Sequence, residues 1–192
     1  RSIGAMLLIE VDGQQGAVDA EAEVVKKACT SNNAVSCRKA ASDKERDEIW
    51  TARRAALSSL ARIKPSTILE DVTVPRSRIV EMIEAVNTIA KKYDLAIGTF
   101  GHSGDGNLHP TILTDMRDAE EEKKVEGAID EMFRVAVDLG GTLSGEHGIG
   151  ISKARYLKLE IDPASYELMK RIKKAFDPGN ILNPGKIFLD QV

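Results

Sequence analysis

The order of apolar and polar positions along the chain divides it into runs with two different periods. Ala5 to Val11 (AMLLIEV) is a continuous apolar run closed by Asp12-Gly13 and reads as a buried strand. Val18, Val24, Val25 and Ala28 suggest a short helix ending near Ser31-Asn32-Asn33, and Val35 to Lys39 reads as a second strand. Ser42 with Glu45 three residues later makes a capping box, which opens a long helix that Pro65 stops. Ile68 to Val74 is extended, and after Pro75 the positions Ile79, Ile83, Val86 and Ala90 form one helical stripe. Leu95 to His102 and Asn107 to Thr114 read as two strands. A helix over about Asp118 to Leu139 then puts Val125, Ile129, Met132, Ala136 and Leu139 on one face and ends at Gly140-Gly141. The last helix has Asp162 as its N-cap and Pro163 at its first position; it is expected to bury Leu168, Ile172, Ala175 and Phe176 and to stop at DPGN.

Strands interleaved with helices, one strand pair being joined by a tight turn, point to an α+β fold. The expectation is a single domain over residues 1–192: a largely antiparallel, ferredoxin-like sheet with helices on one face and an added C-terminal helix. The other face would be free for a ligand or a partner domain. The formal net charge of −3 gathers no basic surface, which argues against nucleic-acid binding. No apolar run reaches the ~18 residues of a membrane span. Cys29 and Cys37 have no metal-type spacing and read as reduced thiols, which suggests a cytoplasmic location or one peripheral to the inner membrane. The start RSIGAMLLIEV has neither a signal-peptide core nor an initiator Met, as expected of a piece of a longer protein.

The chemistry concentrates in two glycine-rich motifs that hold all three histidines, GHSGDGNLHP and SGEHGIG. A hairpin with Gly104-Asp105 at its turn pairs His102 with Asn107 and Phe100 with His109. Period-two alternation then places His102, Asn107, His109 and Thr111 on one face and Leu108 and Ile112 on the other. Diagonal neighbours have backbones about 7–8 Å apart, a gap that two imidazoles can close around an ion at about 2.0–2.1 Å per bond. Glu146 would complete a site for a divalent ion such as Zn²⁺ or Mn²⁺. Adjacent side chains diverge, so Glu146 is assigned to the ion and His147 is left as a general base; the opposite assignment stays open. Arg53 lies on the apolar stripe Ile49, Ala56, Leu60 and Ile63 of the helix after Ser42, where it would hold an acidic substrate or pair internally with Glu70 or Asp71. GEHGIG lacks the order and βαβ context of a dinucleotide loop, and the run Asp118 to Lys124 is a solvated helix start.

GHSGDGNLHP, SGEHGIG and the tail AFDPGNILNPGKIF resemble the C-terminal half of the FAD-linked oxidases, the family that includes glycolate oxidase and D-lactate dehydrogenase. The resemblance runs from AMLLIEVDG through DVTVPRSRI to the tail. It implies FAD against the exposed sheet face, held mostly by a separate N-terminal FAD-binding domain that this chain lacks. It also implies His102, His109 and Glu146 as metal ligands, His147 as catalytic base, Arg53 and Thr111 at the substrate, and Asn107 and Asn183 facing flavin or substrate. The chain departs from the 2-hydroxyglutarate branch near Leu69, where a lysine would fall, and at Thr111, which replaces an Asn; Lys64 is a weak substitute cation.

The resulting expectation is a flavin-dependent 2-hydroxy-acid dehydrogenase or oxidase of the glycolate or D-lactate type, passing hydride from C2 of a small 2-hydroxy acid to FAD and working with further oxidase subunits. On the residues alone, two rivals stay open. One is a metal-dependent hydrolase using the same ligands, and the other a non-catalytic ferredoxin-like binding module.

Overall fold

A computed structural model describes residues 4–189. These fall into two compact units, Arg1–Arg54 and Ala55–Val192. In the first unit the regular elements are two helices, α1 (Gln15–Ser31) and α2 (Asp43–Arg54). The strands expected at Ala5 to Val11 and Val35 to Lys39 form no ladder, and Met6 and Leu7 are 82% and 68% exposed. An apolar run is a strand only where a neighbouring edge takes its hydrogen bonds, and none among the described residues pairs with these two. The capping box forms with one change. Ser42 Oγ accepts from Glu45 N at 3.2 Å, while the Glu45 carboxylate reaches past the cap to accept from Ala41 N at 2.8 Å.

The helix expected to run unbroken to Pro65 instead closes at Arg54 and is followed by a short α3 (Ala56–Leu60) and turns. Its proposed buried side is not buried: α2 contains no buried residue, and Ile63 is 64% exposed. With its first six residues all charged, α2 has little apolar face to bury. Arg53 is half-buried at the end of this helix.

The second unit carries the sheet. Besides α3 it contains β1 (Ser66–Leu69), β2 (Val72–Thr73), β3 (Ala96–His102) and β4 (Asn107–Thr114), with helices α4 (Ile79–Tyr93), α5 (Ala119–Asp138), α6 (Leu157–Glu160) and α7 (Pro163–Phe176). All pairings are antiparallel, and β4 is central. β3 lies on one side of it, and β1 and β2 share the other. Leu69 pairs with Thr111 and Val72 with Leu108, so the register runs on unbroken and leaves Glu70 and Asp71 opposite Pro110 and His109. The ladder is interrupted because Pro110 has no N–H. Its carbonyl accepts from Glu70 N at 2.9 Å, but nothing returns the bond.

Leu108, Ile112 and Val72 bury one face of the sheet against Met82, Val86 and Ile89 of α4 and Val125, Ala128, Met132, Phe133 and Ala136 of α5. This is the expected layer of helices, with the α4 stripe turned so that Met82 and Ile89 join Val86 as its buried members and Ile79 and Ile83 flank them. The order β-α-β-β-α matches a ferredoxin-like start. That detail is not confirmed, because the last strand of such a fold is reduced here to the single bridge Thr73–Thr142. The opposite face is not bare as expected: every residue of β4 is buried, and Leu60 of α3 packs on Gly98.

The cap of α7 is as expected, Asp162 accepting from Ala164 N and Ser165 N at 2.9 and 3.1 Å. Its burial is not. Leu168, Ile172 and Phe176 are 57%, 51% and 85% exposed, Ala175 is exposed as well, and Tyr166 alone is buried, in a small cluster with Leu157 and Phe188. Among the described residues no helix is long and apolar enough to cross a membrane.

Candidate active site

The hairpin between β3 and β4 has the register that the glycine-rich turn and the period-two pattern require, His102 opposite Asn107 and Phe100 opposite His109. Asp105 fixes the turn by accepting from Asn107 N at 3.0 Å, and Gly106 N donates to His102 O at 3.0 Å. A side chain at Gly106, whose φ is +85°, would strike Val74 O at 2.0 Å. The turn is thereby pressed against the end of β2.

The third arm is the loop from Leu143 to Gly148. It lies so close to the sheet that a Cβ at Gly145 would stand 2.3 Å from Thr73 Oγ1 and 2.7 Å from the Asn107 amide. From this loop Glu146 Oε1 reaches His109 Nε2 at 2.9 Å and His102 Nε2 at 4.0 Å. Ligand atoms of His102, His109 and Glu146 all lie within 4.8 Å of one another. The His102 and His109 rings meet edge to face with centroids 5.7 Å apart. His147 stacks on His109, at 5.4 Å with the planes inclined by 17°. His109 is buried, while His102, Glu146 and His147 are exposed.

The donor set suits a divalent ion. Bonds of about 2.0–2.1 Å in tetrahedral array need ligand atoms roughly 3.3 Å apart; the two distances to Glu146 Oε1, 2.9 and 4.0 Å, lie on either side of that, and two imidazoles with one carboxylate leave a coordination position for a substrate atom. Beside these groups lies an open pocket of about 320 Å³ lined by Thr73, His102, Asp105, Asn107, Gly145 and Glu146. Thr73 Oγ1 and Asn107 Oδ1, on two of these lining residues, are buried without a hydrogen-bond partner, as is Nδ1 of His109, which a folded protein rarely tolerates away from a ligand site.

The remaining site residues are placed as follows. Asn107 is buried, and its Nδ2 donates to Glu146 Oε1 at 3.1 Å, so it braces the carboxylate. Thr111 is on the expected face but fully buried, its hydroxyl donating to the His109 carbonyl at 3.3 Å. Asn183 is exposed, with φ +49° and its carbonyl accepting from Lys186 N, the geometry of a turn residue ahead of Pro184. Arg53 belongs to the first unit. Cys29 and Cys37 are free thiols.

Sequence reasoning missed the group beneath the loop. Asp71, fully buried, accepts from Ser144 Oγ at 2.7 Å, Gly145 N at 3.1 Å, Glu146 N at 3.1 Å and His147 N at 2.9 Å. Burial pushes its pKa up, but the bonds from His147 N, the Ser144 hydroxyl, Glu146 N and Gly145 N outweigh it and hold the carboxyl well below the usual carboxylate range. Lys153, also buried, donates to Asp71 O at 2.6 Å and Leu143 O at 2.7 Å, and lies 3.7 Å from the Asp71 carboxylate. Burial lowers the Lys153 pKa against the pull of Asp71 and Glu70, and burial raises that of Glu70 against the pull of Lys153. The signal was present as an acidic pair inside the apolar run ILEDVTV, since a buried strand carries charges only where partners wait for them.

The chain is 52% identical over 187 residues to the glycolate oxidase subunit GlcD of Bacillus subtilis, covering 97% of this chain and 40% of that protein. It is 36% identical over 194 residues to the D-lactate dehydrogenase of Anaerostipes hadrus, covering 96% and 39%. The chain thus spans about 40% of the length of the curated relatives it matches. Among solved structures, the 4-ethylphenol oxidase of Gulosibacter chungangensis in its isoeugenol complex superposes with a TM-score of 0.61 at 18% identity, over 92% of this chain and 37% of that one, which shows a shared fold. The family described as FAD linked oxidases, C-terminal domain, matches residues 1–187, and the chain belongs to that family.

Proposed function

We propose that this chain is the substrate-side, catalytic half of a flavin-dependent 2-hydroxy-acid dehydrogenase of the glycolate or D-lactate type, completed by an N-terminal FAD-binding domain in the longer protein. The observation that carries the reading is the convergence of His102, His109 and Glu146, with His147 stacked beside them and outside the ligand set. When bound, FAD supplies the acceptor for a hydride leaving C2, and a divalent ion of the zinc or manganese type supplies a Lewis acid for the substrate hydroxyl.

The chain's own residues do the rest. His102, His109 and Glu146 would hold the ion, and Asn107 fixes the Glu146 oxygen by donating to it. His147 takes the hydroxyl proton on an imidazole nitrogen, so that the C2–H electron pair can depart as hydride and leave a 2-oxo acid. The substrate carboxylate is assigned to Arg53, on the chemistry of its planar guanidinium and the family resemblance. A pocket of about 320 Å³ favours a small acid over a long one. The two free thiols fit a cytoplasmic location.

The test is to express the longer protein, look for bound flavin, and screen small 2-hydroxy acids of each chirality against an artificial electron acceptor, before and after chelation. We expect turnover with one hand of lactate or with glycolate, lost on chelation and restored by Mn²⁺ or Zn²⁺. Protein that holds flavin but turns over no 2-hydroxy acid would refute the reading.

A further inference from the structure

We infer that Asp71 is the positioning residue of this site: its buried carboxylate fixes the backbone from which Glu146 and His147 project, without itself meeting ion or substrate. The inference rests on the reading of the site given above. Three consecutive backbone N–H groups, from Gly145, Glu146 and His147, converge on one carboxylate, and the Ser144 hydroxyl joins them. The same hydroxyl accepts from Gly148 N at 2.7 Å, so every residue from Ser144 to Gly148 is tied directly or through one atom to Asp71. Such a nest of amides is specific for an anion, and here the protein supplies the anion itself.

The strand places that anion beneath the loop. The unbroken register sets Asp71 opposite His109, on the face that also carries His102 and Asn107. The loop is therefore pinned to the backbone neighbour of one of the ion's proposed ligands. Lys153 supplies the countercharge and, by bonding Asp71 O and Leu143 O, joins the strand to the start of the loop. Full burial keeps Asp71 out of the pocket, so it acts through Glu146 and His147 rather than on substrate.

The test uses the longer flavoprotein carrying Asp71→Asn. The amide keeps the shape but replaces one acceptor oxygen by an NH₂ group, which in either orientation faces a backbone N–H. Hydrogen exchange over residues 144–148 is expected to quicken by about tenfold or more, while β4 keeps its protection. Affinity for Mn²⁺ or Zn²⁺ after chelation is expected to fall by about 10–100-fold, and kcat to fall more than KM changes. Exchange and metal affinity both within about twofold of wild type in folded protein would overturn the assignment. Should Asp71→Asn not fold, Ser144→Ala removes one donor to the Asp71 carboxylate together with the acceptor of Gly148 N; faster exchange at 145–147 supports the assignment, and unchanged exchange there overturns it. If the wild type takes up no ion and oxidises no 2-hydroxy acid, the site reading falls, and exchange alone judges Asp71.

Discussion

A single oxygen, Glu146 Oε1, accepts from Asn107 Nδ2 at 3.1 Å and stands 2.9 Å from His109 Nε2. Its position depends on how closely the loop backbone sits on the sheet, and Gly145 sets that approach. Gly145→Ala is expected to destabilise the folded protein by about 1–3 kcal/mol, because its methyl group overlaps Thr73 and Asn107; urea unfolding measures it. His147→Ala in the flavoprotein is expected to lower kcat by about 100- to 10,000-fold while leaving metal content intact; His109→Ala is expected to lose the ion itself, both read by steady-state kinetics and metal analysis. The histidine pair was legible in the sequence because two arms of a short turn and a period of two leave one register. Asp71 was visible only as a charge inside an apolar run; the groups it holds were not, because they lie more than seventy residues away and are mostly backbone N–H groups, which carry no sequence signal.

Among the elements, β4 is anchored at both ends. At its start are the histidine hairpin and the loop; at its end Glu121 of α5 accepts from Asp115 N at 2.7 Å, the Thr114 hydroxyl at 2.8 Å and Lys64 at 3.1 Å. The Asp115 amide first, then Thr114 and Lys64, hold the Glu121 carboxyl at about 2. An unfolded Glu titrates near ~4.3, so the folded pKa is the lower one; the stabilisation is complete above that range and is lost as pH falls toward about 2. Glu121→Gln should therefore be less stable than wild type at neutral pH and nearly matched to it at about pH 2, measured by urea unfolding at both pH values. The cap at Asp162 and the hairpin followed from local chemistry that the sequence displays. The strands expected at Ala5 to Val11 and Val35 to Lys39 failed because a strand is defined by its neighbour, and β1 and β2 split because Pro110 withholds one hydrogen bond from a register that is otherwise continuous.

Across the described residues, the apolar side chains left exposed include Met6 and Leu7 in one unit and Leu168, Ile172 and Phe176 in the other. The stripe on α7 was legible as a stripe, but whether it is buried is decided by what packs on it, and period alone does not say. The chain spans about 40% of its relatives' length, so the activity proposed here belongs to the longer protein. Its central claim is that one ion-holding cluster and one neighbouring imidazole prepare a 2-hydroxy acid to give up hydride. The most direct measurement is anaerobic bleaching of the bound flavin by glycolate or D-lactate, followed in the flavoprotein as purified, after chelation, and with His147→Ala. The account predicts rapid bleaching in the first case and a loss of about 100-fold or more in the other two. Bleaching at an unchanged rate after the ion is removed, or with His147 replaced, would contradict it.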